Sequence, residues 1–188
     1  MGFKELFILI EGDDDQRFFE RILKPGFEKK YDSVNFYRYA VQPPKKIENF
    51  IKSIRAMKAD YIVAADINHS PCVTQKKEAL LSKKFKHINI DNIIIVIKEI
   101  ESWYLAGLNE SSRRELGIKS HKANIDELTK EQFDSLIPDK FNSRIVFMQE
   151  ILKYFEIKTA AGNNKSFAYF TGKYEGFASG GPTCVGRR

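Results

Sequence analysis

Short apolar runs punctuate the first half of the chain. Leu6 to Ile10, Val34 to Val41, Tyr61 to Ala65 and Ile93 to Ile97 are each too short for a buried helix. They are rich in β-branched and aromatic residues, so each predicts a strand. Between them the hydrophobic period changes. Phe18, Phe19, Ile22 and Leu23 recur at helical spacing, and Pro25-Gly26 is expected to end that helix. Ile47, Phe50, Ile51 and Ile54 follow Pro43-Pro44 and predict an amphipathic second helix. Val73, Leu80, Leu81 and Phe85 predict a third with a lysine-covered outer face, and another helix is expected from about Ile100 to Leu108.

Strands alternating with helices argue for an α/β fold with a mostly parallel central sheet flanked by helices. Right-handed crossovers place all the strand C-termini on one edge, where open α/β sheets bind ligands. Acidic residues fall at that edge. Glu11 follows the first strand, Asp66 closes the third, and Glu99 and Glu101 follow the fourth. The run Glu11-Gly-Asp-Asp-Asp15 needs compensation for its crowded charge. Asp13 to Asp15 sit where a helix starts, and unpaired backbone N–H groups and the positive end of the helix dipole offset part of it. A metal ion is the other compensation, with Asp15 the candidate for a second one.

The second half reads as a helical C-terminal extension. Thr129 and Gln132 form a capping box ahead of Phe133 and Leu136. Ser143 caps a helix through Ile145, Met148, Leu152 and Phe155, and Asn164-Lys165-Ser166 opens a last helix with Phe167, Phe170 and Tyr174 on one face. The expected organisation is an α/β core over 1–110, a helical extension packed on it over 111–178 and a flexible tail over 179–188.

Composition narrows the class. The chain has 188 residues, enough for one core plus a small appendage, with 31 basic residues against 25 acidic ones and a formal charge of +6. That balance suits a polyanionic partner and equally a solvated lysine-rich surface. No run is long enough to cross a bilayer and the N-terminus carries no secretory pattern, so a cytoplasmic protein without membrane contact is expected. Cys72 and Cys184 show no zinc spacing and read as free thiols. Glu-Gly-Asp-Asp-Asp after strand one puts acids where a dinucleotide pyrophosphate would sit, which disfavours a nicotinamide-type Rossmann enzyme.

Glu11-Gly12 after a first strand and Asp66-Ile-Asn68 after a later one resemble the Toprim domain of topoisomerases, primases and OLD-type nucleases. Glu101-Ser-Trp103-Tyr-Leu-Ala106 looks like the E-x-W-x-L-A signature of small standalone Toprim-like proteins of the DUF4276 kind, and Lys165-Ser-Phe167 resembles a motif found late in them. The resemblance covers roughly residues 5–108 well and 140–175 loosely. It implies a Mg²⁺- or Mn²⁺-dependent nuclease. Asp66 is then the main metal ligand, Asn68 assists, and Glu11 is a ligand or a proton-transfer group. Glu101 orients the attacking water or holds a second ion, and Lys165 contacts phosphate. His69, in the same loop as Asp66 and Asn68, is a further phosphate candidate, although an exposed loop histidine is the commoner case.

The chain departs from the Toprim pattern at Asn68, which stands where a second aspartate is usual. An amide oxygen still suits a hard cation but brings no charge. Three functions therefore stay open: a phosphodiesterase acting on nucleic acid, with a separate ATPase chain as partner by analogy; a non-catalytic module that binds nucleic acid or a partner protein; and metal-assisted hydrolysis of another phosphoryl substrate such as a nucleotide.

Overall fold

The computed structural model describes residues 2–119 and 124–174. The chain divides into two compact units, Met1–Ile97 and Lys98–Arg188. The expected tail over 179–188, with Cys184, lies outside the described residues; Cys72 is a free, exposed thiol. Among the described residues, no helix is long and apolar enough to cross a membrane.

The first unit contains β1 (Glu5–Ile10), α1 (Asp13–Phe18), α2 (Lys24–Phe27), β2 (Ser33–Arg38), α3 (Pro44–Ala56), β3 (Asp60–Asp66), α4 (Val73–Lys83) and β4 (Ile93–Val96). The four strands form one sheet in the order β2-β1-β3-β4, and every pairing is parallel. Leu9, Val63, Ala65, Ile93 and Ile95 point to one face, where Ile47, Ile51 and Ile54 of α3 and Leu80 of α4 complete a core. The alternate residues Ile8, Ile10, Ile62, Ala64 and Ile94 are buried as well. Burial on both faces explains the uninterrupted apolar runs, because a two-sided parallel sheet leaves no face for polar residues.

Several boundaries differ from expectation; the third helix ends at Lys83, short of the buried Phe85. The first helix does not stop at Pro25-Gly26. It passes through a π-helical turn at Phe19–Leu23 into α2, where Pro25 occupies the opening turn. Proline is tolerated there because the first N–H groups of a helical turn need no intrahelical partner. The second strand ends at Arg38, not Val41. Tyr39 opens a turn in which its carbonyl accepts from the Gln42 N–H at 3.0 Å, and Val41 is exposed.

The second unit is helical: α5 (Glu101–Ala106), α6 (Glu110–Leu116), α7 (Lys130–Ser135), α8 (Arg144–Lys153), α9 (Ile157–Asn163) and α10 (Lys165–Lys173). Every residue of α5 is buried, and α7, α8 and α9 pack around it. The capping residues fall as expected. Thr129 Oγ1 accepts from the Gln132 N–H at 3.3 Å, Ser143 Oγ from Val146 at 3.2 Å and Asn164 Oδ1 from Phe167 at 2.9 Å. On α8, however, Ile145 faces out, and Phe147, Met148, Ile151 and Leu152 are the buried residues.

Candidate functional site

Strand order decides which side chains meet. The chain leaves β1 to form β2 on one side and then crosses to β3 on the other. The C-terminal ends of β1 and β3 therefore border the point where the winding reverses, which is where an open α/β sheet has its crevice. Glu11 follows the last residue of β1, and Asp66 is the last residue of β3. Leu9 pairs with Val63, so continuing that register sets Glu11 level with Ala65, beside Asp66. Tyr39 follows β2 directly, and its N–H donates to the Ile10 carbonyl at 3.0 Å. The residues leaving three adjacent strands thus share one edge.

Tyr39 organises this edge. Its ring is fully buried, and its O–H donates to Glu11 Oε1 at 2.8 Å, with a longer contact to the Ala64 carbonyl at 3.4 Å. Burial raises the phenol pKa well above its usual value, and Glu11, Asp15 and Asp66 raise it further. Each of those carboxylates disfavours a phenolate, so Tyr39 remains a hydrogen-bond donor. Asp15 reaches back to accept from the Gly12 N–H at 3.0 Å and is itself buried. It is the half of a capping box that a glycine N-cap allows.

Asn68 and His69 are exposed in the loop after β3. Asn68 has φ = 50°, a left-handed conformation that asparagine tolerates better than most residues. Its side-chain amide donates to the backbone carbonyl of Asp66 at 3.3 Å. The residue shapes the turn that presents Asp66.

Glu101 and Lys165 belong to the second unit. Glu101 is buried at the start of α5 and ion-paired with Arg144, whose Nε also meets Asp134 Oδ1 at 2.7 Å. Glu99 accepts from the Lys130 N–H at the start of α7. Lys165 is exposed, while its backbone N–H donates to Asp126 Oδ1 at 2.9 Å. Ser166 carries the Lys-Ser-Phe motif inward. It accepts from Trp103 Nε1 at 2.8 Å and donates to Asn164 Oδ1 at 2.8 Å. Phe167 packs edge-on against the Trp103 ring at 5.0 Å. The two late motifs are therefore two halves of one packed contact within this unit.

Tyr39 and Arg144 escaped the sequence reading. A tyrosine in an apolar run reads as core, and Arg144 reads as the first surface residue after a cap. No local signal marks either, since each is defined by a partner more than 25 residues away.

Among the described residues, no three His, Cys, Asp or Glu side chains are grouped tightly enough to hold an ion by themselves. The donor set nevertheless fits a hard cation of the Mg²⁺ type. Such an ion takes oxygen ligands, uses one or two carboxylates and relies on water and substrate phosphate for the rest. Glu11 and Asp66 supply two carboxylates at one sheet edge.

No family model and no curated protein matches the chain. Among solved structures it is similar to the C-terminal region of the Burkholderia pseudomallei OLD protein, at 15% identity and a TM-score of 0.47, covering 92% of this chain and 99% of that one. It is also similar to the C-terminal region of the Xanthomonas campestris pv. campestris OLD protein, at 13% identity and a TM-score of 0.37, covering 90% and 98%.

Proposed function

We propose that the chain is a Toprim-like, divalent-cation-dependent phosphodiesterase acting on nucleic acid. One observation carries this reading: Glu11, held by the Tyr39 hydroxyl at 2.8 Å, and Asp66 stand at the C-terminal ends of adjacent strands, beside the reversal point of a parallel sheet. Glu11 and Asp66 would hold Mg²⁺ or Mn²⁺, with the Asn68 amide oxygen as a neutral donor. The ion supplies charge neutralisation at the phosphate and activation of the attacking water. Tyr39 holds Glu11 in place through its 2.8 Å hydrogen bond and leaves the other carboxylate oxygen to its chemistry. Glu11 is also the group to accept a proton. His69 and Lys165 are assigned to phosphate contacts, and Glu101 takes part only by exchanging Arg144 for a cation. Kinship with the small DUF4276-type proteins rests on the motifs, and a separate ATPase chain belongs to this reading by analogy.

A second reading has its own support. The Asn68 amide shapes a turn and Glu101 has Arg144 as counter-ion, which suits a binding module without chemistry. Mn²⁺ calorimetry on the wild type beside Asp66→Ala separates the two. Saturable binding that the substitution abolishes supports the enzyme. An absence of binding in both, with substrate DNA present, supports the module.

A further inference from the structure

Basic charge is concentrated in one stretch of the first unit. Residues 43–87 hold ten Lys and Arg against four Asp and Glu, a surplus equal to the formal +6 of the whole chain. Much of it decorates α3, α4 and the segment after α4. A solvated helix surface would show the same composition. The segment after α4 is built differently.

Phe85 and Ile88 are buried in the sheet core and pin that segment at two points. Lys84, Lys86 and His87 stand exposed around these anchors. His87 has φ = 72°, an uncommon backbone conformation outside glycine. The segment is therefore held in one shape. Its position relative to the carboxylates is also defined. The Lys84 ammonium lies over the Tyr39 ring at 5.2 Å, and the Phe85 ring meets the Tyr39 ring edge-on at 4.9 Å. Tyr39 is the same residue that donates to Glu11. On the other side, Lys52 of α3 pairs with Glu48 at 2.7 Å. Lys52, followed by Lys86 and His87, holds the Glu48 carboxyl below its usual value, which sets these three side chains around one acid.

We propose that Lys84, Lys86 and His87, together with Lys52, form a phosphate-binding strip that guides a nucleic-acid backbone past Glu11. The inference rests on the proposed nucleic-acid substrate and adds the surface that receives it. The strip's lysines are point charges with no planar fork for reading bases, so it binds sugar-phosphate without sequence preference. Lys84 meets the ring of Tyr39, whereas Glu11 meets its hydroxyl. Cation and carboxylate thus use different parts of one side chain, and phosphate can bind Lys84 without breaking the hydrogen bond that holds Glu11.

The test is fluorescence anisotropy of a labelled single-stranded DNA over a salt series, without metal. The triple variant Lys52→Gln/Lys84→Gln/Lys86→Gln is compared with the wild type. A control, Lys29→Gln/Lys30→Gln/Lys58→Gln, removes three exposed charges near the strand N-termini. Each lost phosphate contact lowers the salt slope by about 0.7 on single strands, so the strip variant should lose about two units of slope. Its affinity should fall at least about tenfold at low salt, while the control stays near wild type. Equal losses in both variants would assign binding to net charge and overturn the strip. Unchanged binding in the strip variant would overturn it too. Mn²⁺ calorimetry on the strip variant keeps the two proposals apart: wild-type metal binding with lost DNA binding supports both, and wild-type DNA binding with intact metal binding removes the strip alone.

Discussion

Replacing Tyr39 by phenylalanine deletes one oxygen and tests the organisation of the carboxylate edge. The ring stays, so its edge contact with Phe85 and the Lys84 ammonium above it are retained, and no large cavity opens. What is lost is the 2.8 Å hydrogen bond to Glu11 Oε1. A hydrogen bond to a charged acceptor is worth about 1.5–3 kcal/mol. Glu11 is only partly buried, so water replaces some of that and the lower end applies, about 1.5 kcal/mol. Urea denaturation at neutral pH should show a lower midpoint with an unchanged slope. The alkaline limb gives an independent reading. The folded-state pKa of Tyr39 is raised, so its contribution to stability is complete below the unfolded value near 10 and declines as pH rises toward the folded one. In that window the wild type should lose about 1.4 kcal/mol per pH unit on account of Tyr39, and Tyr39→Phe should lack that component. A variant as stable as the wild type at neutral pH, with an identical alkaline slope, would refute the placement of a buried donor on Glu11.

Other consequences follow from the second unit and its motifs. A Cβ at Gly107 would come within 2.3 Å of the buried Phe155 ring, so Gly107→Ala should cost about 1–3 kcal/mol by thermal or urea unfolding, and Gly107→Ala/Phe155→Leu should recover part of it. Ser166→Ala leaves the buried Trp103 indole N–H without that acceptor and should destabilise by about 1–3 kcal/mol, with an accompanying change in tryptophan fluorescence. Arg144→Met removes a counter-ion of buried Glu101 and should cost about 3 kcal/mol; adding Glu101→Gln should restore a large share, as a double-mutant cycle will measure. If Mn²⁺ protects the Arg144→Met protein against unfolding more than the wild type, Glu101 accepts a cation once Arg144 is gone.

The apolar runs, their β-branched content and the helical spacing between them determined the four strands and the helices that connect them, though not every boundary, and their alternation determined a parallel sheet. Local chemistry also determined the caps at Thr129, Ser143 and Asn164, because a cap and its N–H partner lie within three residues. The helix through Pro25 was hidden because a π turn shifts the hydrogen-bond register upstream of the proline. Tertiary structure alone decided the rest. Strand order set Glu11, Tyr39 and Asp66 at the ends of adjacent strands, although 28 residues separate Glu11 from the phenol that binds it. Folding also turned Trp103 and Ser166, 63 residues apart, into a single buried contact. A sequence records which groups can pair, but burial and proximity are properties of the folded chain, and those two set both the pKa of Tyr39 and the partner of Glu101.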